Sequence, residues 1–414
     1  MRRRVVVTGM AGLCPLGSDW PAVRARLLAG RSGVRVMPEW DVYEGLDTRL
    51  GAPVPEFTVP DHYTRKKVRS MGRVALLATR ATELALADAG LLGSSIVTDG
   101  TTGIAYGSTS GSPPAMEIYA EAFYMKHSLK GIAGTDYLQF MSHTCAANLA
   151  QFFGITGRIV PTCSACTAGS QGIGYGYEAI VGGRQTVMVA GGAEELHAVN
   201  AAVFDIMFAT STRNHEPERT PRPFDRDRDG LVVGEGAGTL VLEELEHARA
   251  RGARIYAEVA GFGTNGDGTH ITNPDARGMQ TVMELALHDA GLAPEAIGYV
   301  NAHGTATESG DVAESLATYR VFGDRAPISS LKSYLGHTLG AAGALEAWLT
   351  ILMMRDDWVA PTLNLETPDP RCAPLDYVRG EPRGLRADHV MSNNFAFGGV
   401  NTSLIFRRWP EGAE

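Results

Sequence analysis

A nine-residue segment occurs twice in this chain with a single difference. Glu83-Leu84-Ala85-Leu86-Ala87-Asp88-Ala89-Gly90-Leu91 returns as Glu284-Leu285-Ala286-Leu287-His288-Asp289-Ala290-Gly291-Leu292. Each copy reads as the end of an amphipathic helix closed by glycine. Each is followed by a strand and a small-residue turn, Gly103-Ile104-Ala105-Tyr106-Gly107-Ser108 in one and Gly298-Tyr299-Val300-Asn301-Ala302-His303 in the other. Further on, Gly234-Glu235-Gly236-Ala237-Gly238-Thr239-Leu240-Val241 is matched by Phe397-Gly398-Gly399-Val400-Asn401-Thr402-Ser403-Leu404. Chance likeness of two helices would not bring matching flanks. The repeat predicts an α/β chain of two pseudo-twofold-related halves, residues 1–253 and 254–414. Alternating strands and helices predict mostly parallel sheets covered on both faces.

Along the chain, Val5-Val6-Val7-Thr8 reads as a buried first strand, and one helix is expected from Arg65 to Ala89. Residues 112–150 read as a partly helical insertion. The 414 residues, 44% hydrophobic, suffice for a substantial core, and a net charge of −9 argues against nucleic acid as a partner. The five cysteines lack zinc-ligand spacing, and the one C-x-x-C (Cys163, Cys166) has no thioredoxin-like surroundings, so a reducing compartment is expected. The apolar run after Arg2-Arg3-Arg4 breaks at Thr8-Gly9, too early for a secretory signal, and Ala344–Met354 is too short to span a bilayer and contains Glu346. A soluble, cytoplasmic protein with no membrane partner is the expectation.

The chemistry concentrates at Thr162-Cys163-Ser164-Ala165-Cys166-Thr167, which follows Ile159-Val160 and opens a segment with Gly169, Gly172, Gly174 and Gly176. Glycine disfavours helix by roughly 1 kcal/mol against alanine, so a helix carrying four is expected where other backbones approach closely. A cysteine at its first turn faces unpaired N–H groups and the positive end of the helix dipole, which favours thiolate. The plain alternative is a buried structural cysteine. The second half supplies partners: Asn301-Ala302-His303-Gly304-Thr305-Ala306-Thr307 with Asp311 and Glu314 beyond, and Lys332-Ser333-Tyr334-Leu335-Gly336-His337 before Gly340-Ala341-Ala342-Gly343-Ala344. By the repeat, this second small-residue helix is the mate of the one after Cys166. A metal held by one cysteine and two histidines is opposed by the charge of Lys332, five residues before His337.

Ser164-Ala165-Cys166-Thr167, Val300 to Thr305, Lys332 to His337 and Asn394-Phe395-Ala396-Phe397-Gly398-Gly399-Val400-Asn401 resemble the four signatures of the β-ketoacyl-acyl-carrier-protein synthases, the type II elongating enzymes above all. The likeness covers nearly the whole chain. It implies a thiolase fold with a five-layered αβαβα core, usually homodimeric, and a decarboxylative Claisen condensation. Cys166 would carry the acyl group, and His303 and His337 would donate to the enolate oxygen. The backbone of Cys166 and Phe397 would form the oxyanion hole, with Lys332 and Glu314 orienting and balancing His303. Thr272, Thr305 and Thr307 would line the pantetheine channel, with Phe395 at the substrate and Ser110 at the base of the acyl pocket. Arg65, Lys66, Lys67, Arg69 and Arg73, read as one helical face with Lys67 at its edge, would dock the acidic acyl carrier protein. No metal or organic cofactor is implied, because the phosphopantetheine arm arrives with the carrier. The acyl and malonyl thioesters are the substrates.

Three positions depart from the family pattern: Asn394 for serine, Ala396 for glycine, and Glu308 for proline. They touch the gate and channel, hence specificity. Two relatives of other kinds stay open: a noncatalytic chain-length subunit paired with an active partner, which usually lacks the cysteine, and a priming synthase using acyl-CoA, which usually has asparagine where His303 falls. A cysteine hydrolase has no independent support.

Overall fold

The structure, a computed structural model, describes residues 2–410. Its frame is a sheet of ten strands: β1 (Val5–Leu13), β2 (Thr102–Gly107), β3 (Ile159–Pro161), β4 (Val187–Glu194), β5 (Gly236–Glu244), β6 (Ala257–Gly266), β7 (Tyr299–Asn301), β8 (Ile328–Ser329), β9 (His389–Ala396) and β10 (Val400–Arg408). Their order across the sheet is β8-β7-β9-β10-β6-β1-β5-β4-β2-β3. Each half thus repeats one arrangement, β3-β2-β4-β5-β1 and β8-β7-β9-β10-β6, and the two meet edge to edge where Val5, Val6 and Val7 pair with Val259, Glu258 and Ala257. The duplication read from the nonapeptide is the symmetry of the fold.

The helices that matter here are α1 (Arg73–Asp88), α2 (Thr144–Phe153), α3 (Ala168–Val181), α4 (Ala276–Ala290), α5 (Glu308–Phe322) and α6 (Ala342–Arg355). Helices α3 and α6 pack against each other and against strands of both halves, while α1 and α4 cover the outer faces. The layers therefore run helix, sheet, helix pair, sheet, helix. All nine residues of β1 are buried, which is why its sequence is apolar without alternation.

Two expectations need correction. The sheets are mixed rather than mostly parallel: β2 is parallel to β3 and β4, and β7 to β8 and β9, but β4/β5, β5/β1, β9/β10 and β10/β6 are antiparallel. The β9–β10 connection is a hairpin, turning through Gly398 and Gly399 at φ 86° and 67°, values open to glycine at little cost. The helix expected from Arg65 to Ala89 is two, Arg65–Val68 and α1, interrupted around Gly72. A side chain at Gly72 would meet Ser112 Cβ at 2.3 Å, so a tertiary approach that periodicity does not encode sets the break.

The contact between α3 and α6 shows why both are rich in small residues. A Cβ on Gly169 would lie 2.8 Å from Ala344 N, and one on Gly343 would lie 2.6 Å from Ser170 N. The two positions answer each other across the pseudo-twofold axis. The insertion contributes helices Pro113–Ala120 and Gly134–Phe140, and leaves Phe123, Tyr124, Met125, Leu129 and Tyr137 exposed.

Candidate active site

Each central helix is entered through a one-turn elbow, Ala165–Thr167 before α3 and Leu339–Ala341 before α6. At each elbow a non-glycine residue takes a left-handed conformation, Ala165 at φ 50° and Leu339 at φ 46°. Such residues cost free energy and persist where the surroundings over-determine them. The next residue is Cys166 in one half and Gly340 in the other. The duplicated elbow carries a nucleophile only once.

Cys166 is 5% exposed, and its Sγ lies 3.0 Å from His337 Nε2. His337 Nδ1 accepts the Leu339 N–H at 3.2 Å, so in the neutral ring Nε2 carries the hydrogen and donates toward the sulfur. The His303 ring stands edge-on to that of His337, centroids 5.2 Å apart, with Phe395 behind it at 5.8 Å. Burial, then the charge of Lys332, holds both imidazoles well below the usual histidine range, so both are neutral at pH 7. One nitrogen of each ring and the Cys166 sulfur lie within 4.8 Å of one another. This donor set does not suit a metal, because the His337 nitrogen facing the sulfur holds a hydrogen rather than a free lone pair.

The thiol departs from expectation. Burial pushes Cys166 up to about 12; the Lys332 charge and its own backbone N–H pull the other way, Glu194 and Glu346 oppose them, and burial wins. The helix start orients the sulfur without leaving it ionised at rest.

Lys332 does not reach His303. Its ammonium, 1% exposed, bonds Glu346 Oε1 at 2.6 Å, and Asn394 Nδ2 donates to Glu346 Oε2 at 2.7 Å. In the sequence Glu346 shows only as the break in an apolar run. It is the counter-ion that lets a lysine sit beside two imidazoles. Glu314 likewise does not touch the His303 ring: its oxygens accept the backbone N–H groups of His303 at 2.7 Å and Gly304 at 2.6 Å. Burial raises Glu314 to about 8. Asp311, one helical turn earlier, accepts from Thr305 N and Ala306 N at 3.0 and 3.1 Å. Two buried carboxyl groups of α5 therefore hold four successive N–H groups of the histidine loop.

A cavity of about 430 Å³ brings together Cys166, His303, His337, Glu314, Thr272, Thr305, Thr307, Phe395 and Phe397. The Thr305 and Thr307 hydroxyls lie 2.8 Å apart on its wall. Phe397 follows β9 and packs its ring 5.4 Å from Phe204, whose helix no motif had marked.

Two groups of expected site residues fall elsewhere. Ser110 does not line this cavity; its hydroxyl turns to the Gly111 carbonyl, and Ser108 Oγ donates to Ser110 O at 2.5 Å. Arg73 is not on one face with Arg65, Lys66, Lys67 and Arg69, because α1 starts anew there. Its guanidinium makes two bonds, 2.9 and 2.7 Å, to the buried carboxylate of Glu235. Arg65, Lys66, Lys67 and Arg69 remain exposed, with Lys67 Nζ 5.0 Å from the Phe152 ring centre.

A buried thiol faced by two neutral imidazoles lies at the centre of a duplicated α/β fold, the arrangement of a condensing enzyme. The comparisons with known proteins agree. Residues 2–248 match the model of the β-ketoacyl synthase N-terminal domain and residues 256–366 that of the C-terminal domain. The chain is 40% identical to 3-oxoacyl-[acyl-carrier-protein] synthase 2 of Vibrio cholerae serotype O1 over 98% of this chain and 99% of that one. A crystal structure of a β-ketoacyl synthase from Burkholderia phymatum STM815 superposes with a TM-score of 0.97 at 60% identity, covering 99% of this chain and all of that one. A ketosynthase solved with its type II polyketide acyl-carrier protein and bound to the hexaketide gives 0.88 at 30% identity, over 99% of this chain and 100% of that one. The chain belongs to the β-ketoacyl synthase family.

Proposed function

We propose that this protein is a 3-oxoacyl-acyl-carrier-protein synthase that elongates an acyl chain by decarboxylative Claisen condensation. The observation that carries the reading is the His337 tautomer. With Nδ1 engaged by Leu339 N, the Nε2 hydrogen beside Cys166 Sγ makes this ring a donor to developing negative charge rather than a base.

The reaction divides in two. Cys166 Sγ attacks the thioester carbonyl of an acyl carrier; the oxyanion is held by the backbone N–H groups of Cys166 and Phe397, and the carrier's thiol leaves with the proton that Cys166 gives up. In the second half malonyl carrier enters, and its bond to the carboxylate breaks to release carbon dioxide. The electron pair becomes an enolate whose oxygen accepts from His303 and His337. The enolate carbon then attacks the acyl thioester and expels the Cys166 thiolate, leaving 3-oxoacyl carrier. Burial keeps both rings unprotonated and therefore single donors, and the positive end of the nearly neutral Lys332–Glu346 pair acts in the same direction.

The same reading assigns Thr272, Thr305 and Thr307 to the carrier's phosphopantetheine arm and Arg65, Lys66, Lys67 and Arg69 to its acidic surface. The exposed aromatic side chains of the insertion and the exposed Ile159 on edge strand β3 support a homodimer formed through that face. No helix among the described residues is long and apolar enough to cross a membrane, which accords with a cytoplasmic enzyme.

Intact-mass spectrometry with acyl carrier tests the assignment. The parent protein and Cys163→Ala are expected to gain one acyl group and Cys166→Ala none; an acyl group on Cys166→Ala would overturn it.

A further inference from the structure

The Thr305–Glu308 turn is held from two sides, and only one side belongs to its own helix. Asp311 takes the N–H groups of Thr305 and Ala306, and Glu314 takes those of His303 and Gly304 just before the turn. Ala306 sits in the left-handed region at φ 65°, which requires outside support. That support comes from a segment far away in sequence. Arg228 is 1% exposed in its side chain, and its Nε donates to the Thr307 carbonyl at 3.1 Å while Nη2 donates to the Glu308 carbonyl at 2.8 Å. Nη1 donates to Asp225 O at 2.9 Å and to Asp369 Oδ2 at 2.5 Å. Asp311 Oδ2 lies 3.6 Å from Nε, so the guanidinium is charge-compensated by two buried carboxylates.

We propose that Arg228 is a positioning residue: its planar fork fixes the Thr305–Glu308 turn, and through it aims the paired hydroxyls of Thr305 and Thr307 at the carrier's arm. This rests on the assignment of those threonines to the arm. Arg228 itself does not reach the Cys166 cavity. It lines a second recess of about 670 Å³ that shares Thr307 and Ser309 with the first, so it touches the wall from behind. Lysine cannot replace it. A point charge has no two coplanar donors to bridge consecutive carbonyls. The Arg371 side chain, bound to both Glu308 and Asp369, closes the same network at the surface.

The test is a double-mutant cycle of Arg228→Lys and Thr307→Val, read as KM for malonyl carrier and for malonyl-pantetheine. Each single variant is expected to raise both KM values about tenfold, the worth of one well-made hydrogen bond, with kcat within about twofold. Combined, they are expected to be no worse than the worse single variant, because both act on one contact. Multiplying effects, an unchanged KM in Arg228→Lys, or a rise for the carrier but not for pantetheine would overturn the role of Arg228. Unchanged KM in Thr307→Val alone would overturn the arm assignment and the proposal with it, while acylation of Cys166 could still proceed. If Arg228→Lys fails to fold, Asp369→Asn, which removes the charged partner of Nη1, is expected to shift both KM values the same way by a smaller factor, and unshifted values there count against the proposal.

Discussion

Cys166 shows how residue-scale expectation and burial compete. Placement at a helix start favours the thiolate, yet removal from water costs a lone anion several kcal/mol, and only Lys332 offers a compensating charge. Lys332→Met removes that charge and leaves Glu346 unbalanced, both of which disfavour the thiolate. The pH profile of Cys166 alkylation by iodoacetamide is expected to move to higher pH, with slower labelling at pH 7. An unmoved or more acidic profile would contradict this assignment. At this scale the sequence was most legible. Cys166, His303, His337 and Lys332 each sit in a short run whose neighbours mark it. Glu346 was not legible, because a carboxylate inside Ala344–Met354 signals only an interrupted apolar run until Lys332 is seen 2.6 Å away. The hold of Arg228 on the turn was equally hidden, since it runs through backbone carbonyls of a distant segment; Asp311 stood in view after His303, but its bonds to Thr305 N and Ala306 N did not.

Among the elements, the crossing of α3 and α6 sets the geometry that the chemistry uses, because both elbows lie at its centre. Gly169→Ala forces a methyl group to within 2.8 Å of a backbone nitrogen in the facing helix, where no flexible side chain can yield. The expected cost is about 2 kcal/mol, read as a lower denaturation midpoint in urea with the slope unchanged; an unaltered midpoint would contradict the close-packing account. The glycine spacing announced this helix pair in the sequence. The break between Arg65–Val68 and α1 was not announced, because it depends on Ser112 approaching Gly72. That break also removed Arg73 from the basic face and gave it to Glu235. Charge reversal at Arg65, Lys66 and Arg69 together is expected to raise KM for the carrier and flatten its salt dependence, while small thioester mimics turn over as before. Unchanged carrier kinetics would leave these side chains as ordinary solvated charge.

For the molecule as a whole, the duplicated halves were readable from one nonapeptide and its flanks, whereas strand direction was not. Residues 195–235 separate β4 from β5, and a connection of that length is compatible with either direction. The buried core also ties stability to pH. His303 and His337 have folded pKa values depressed below the unfolded value of about 6.5, so the unfolded chain binds more protons as pH falls. Their contribution is present above ~6.5 and is lost below it, at about 1.4 kcal/mol per histidine per pH unit until the folded pKa is reached. Replacing both with asparagine is expected to flatten the fall in urea-unfolding free energy between pH 7 and pH 5; an equally steep fall would contradict their being buried and neutral.

The central claim is that the histidines serve the enolate and not the thiol. It is tested most directly by His337→Ala, with acyl loading of Cys166 and carbon dioxide release from malonyl carrier measured on the same sample. Because the ring donates to charge that develops only in decarboxylation, loading is expected to proceed while carbon dioxide release falls by two orders of magnitude or more, about 3 kcal/mol of barrier. Lost loading together with undiminished carbon dioxide release would contradict the account.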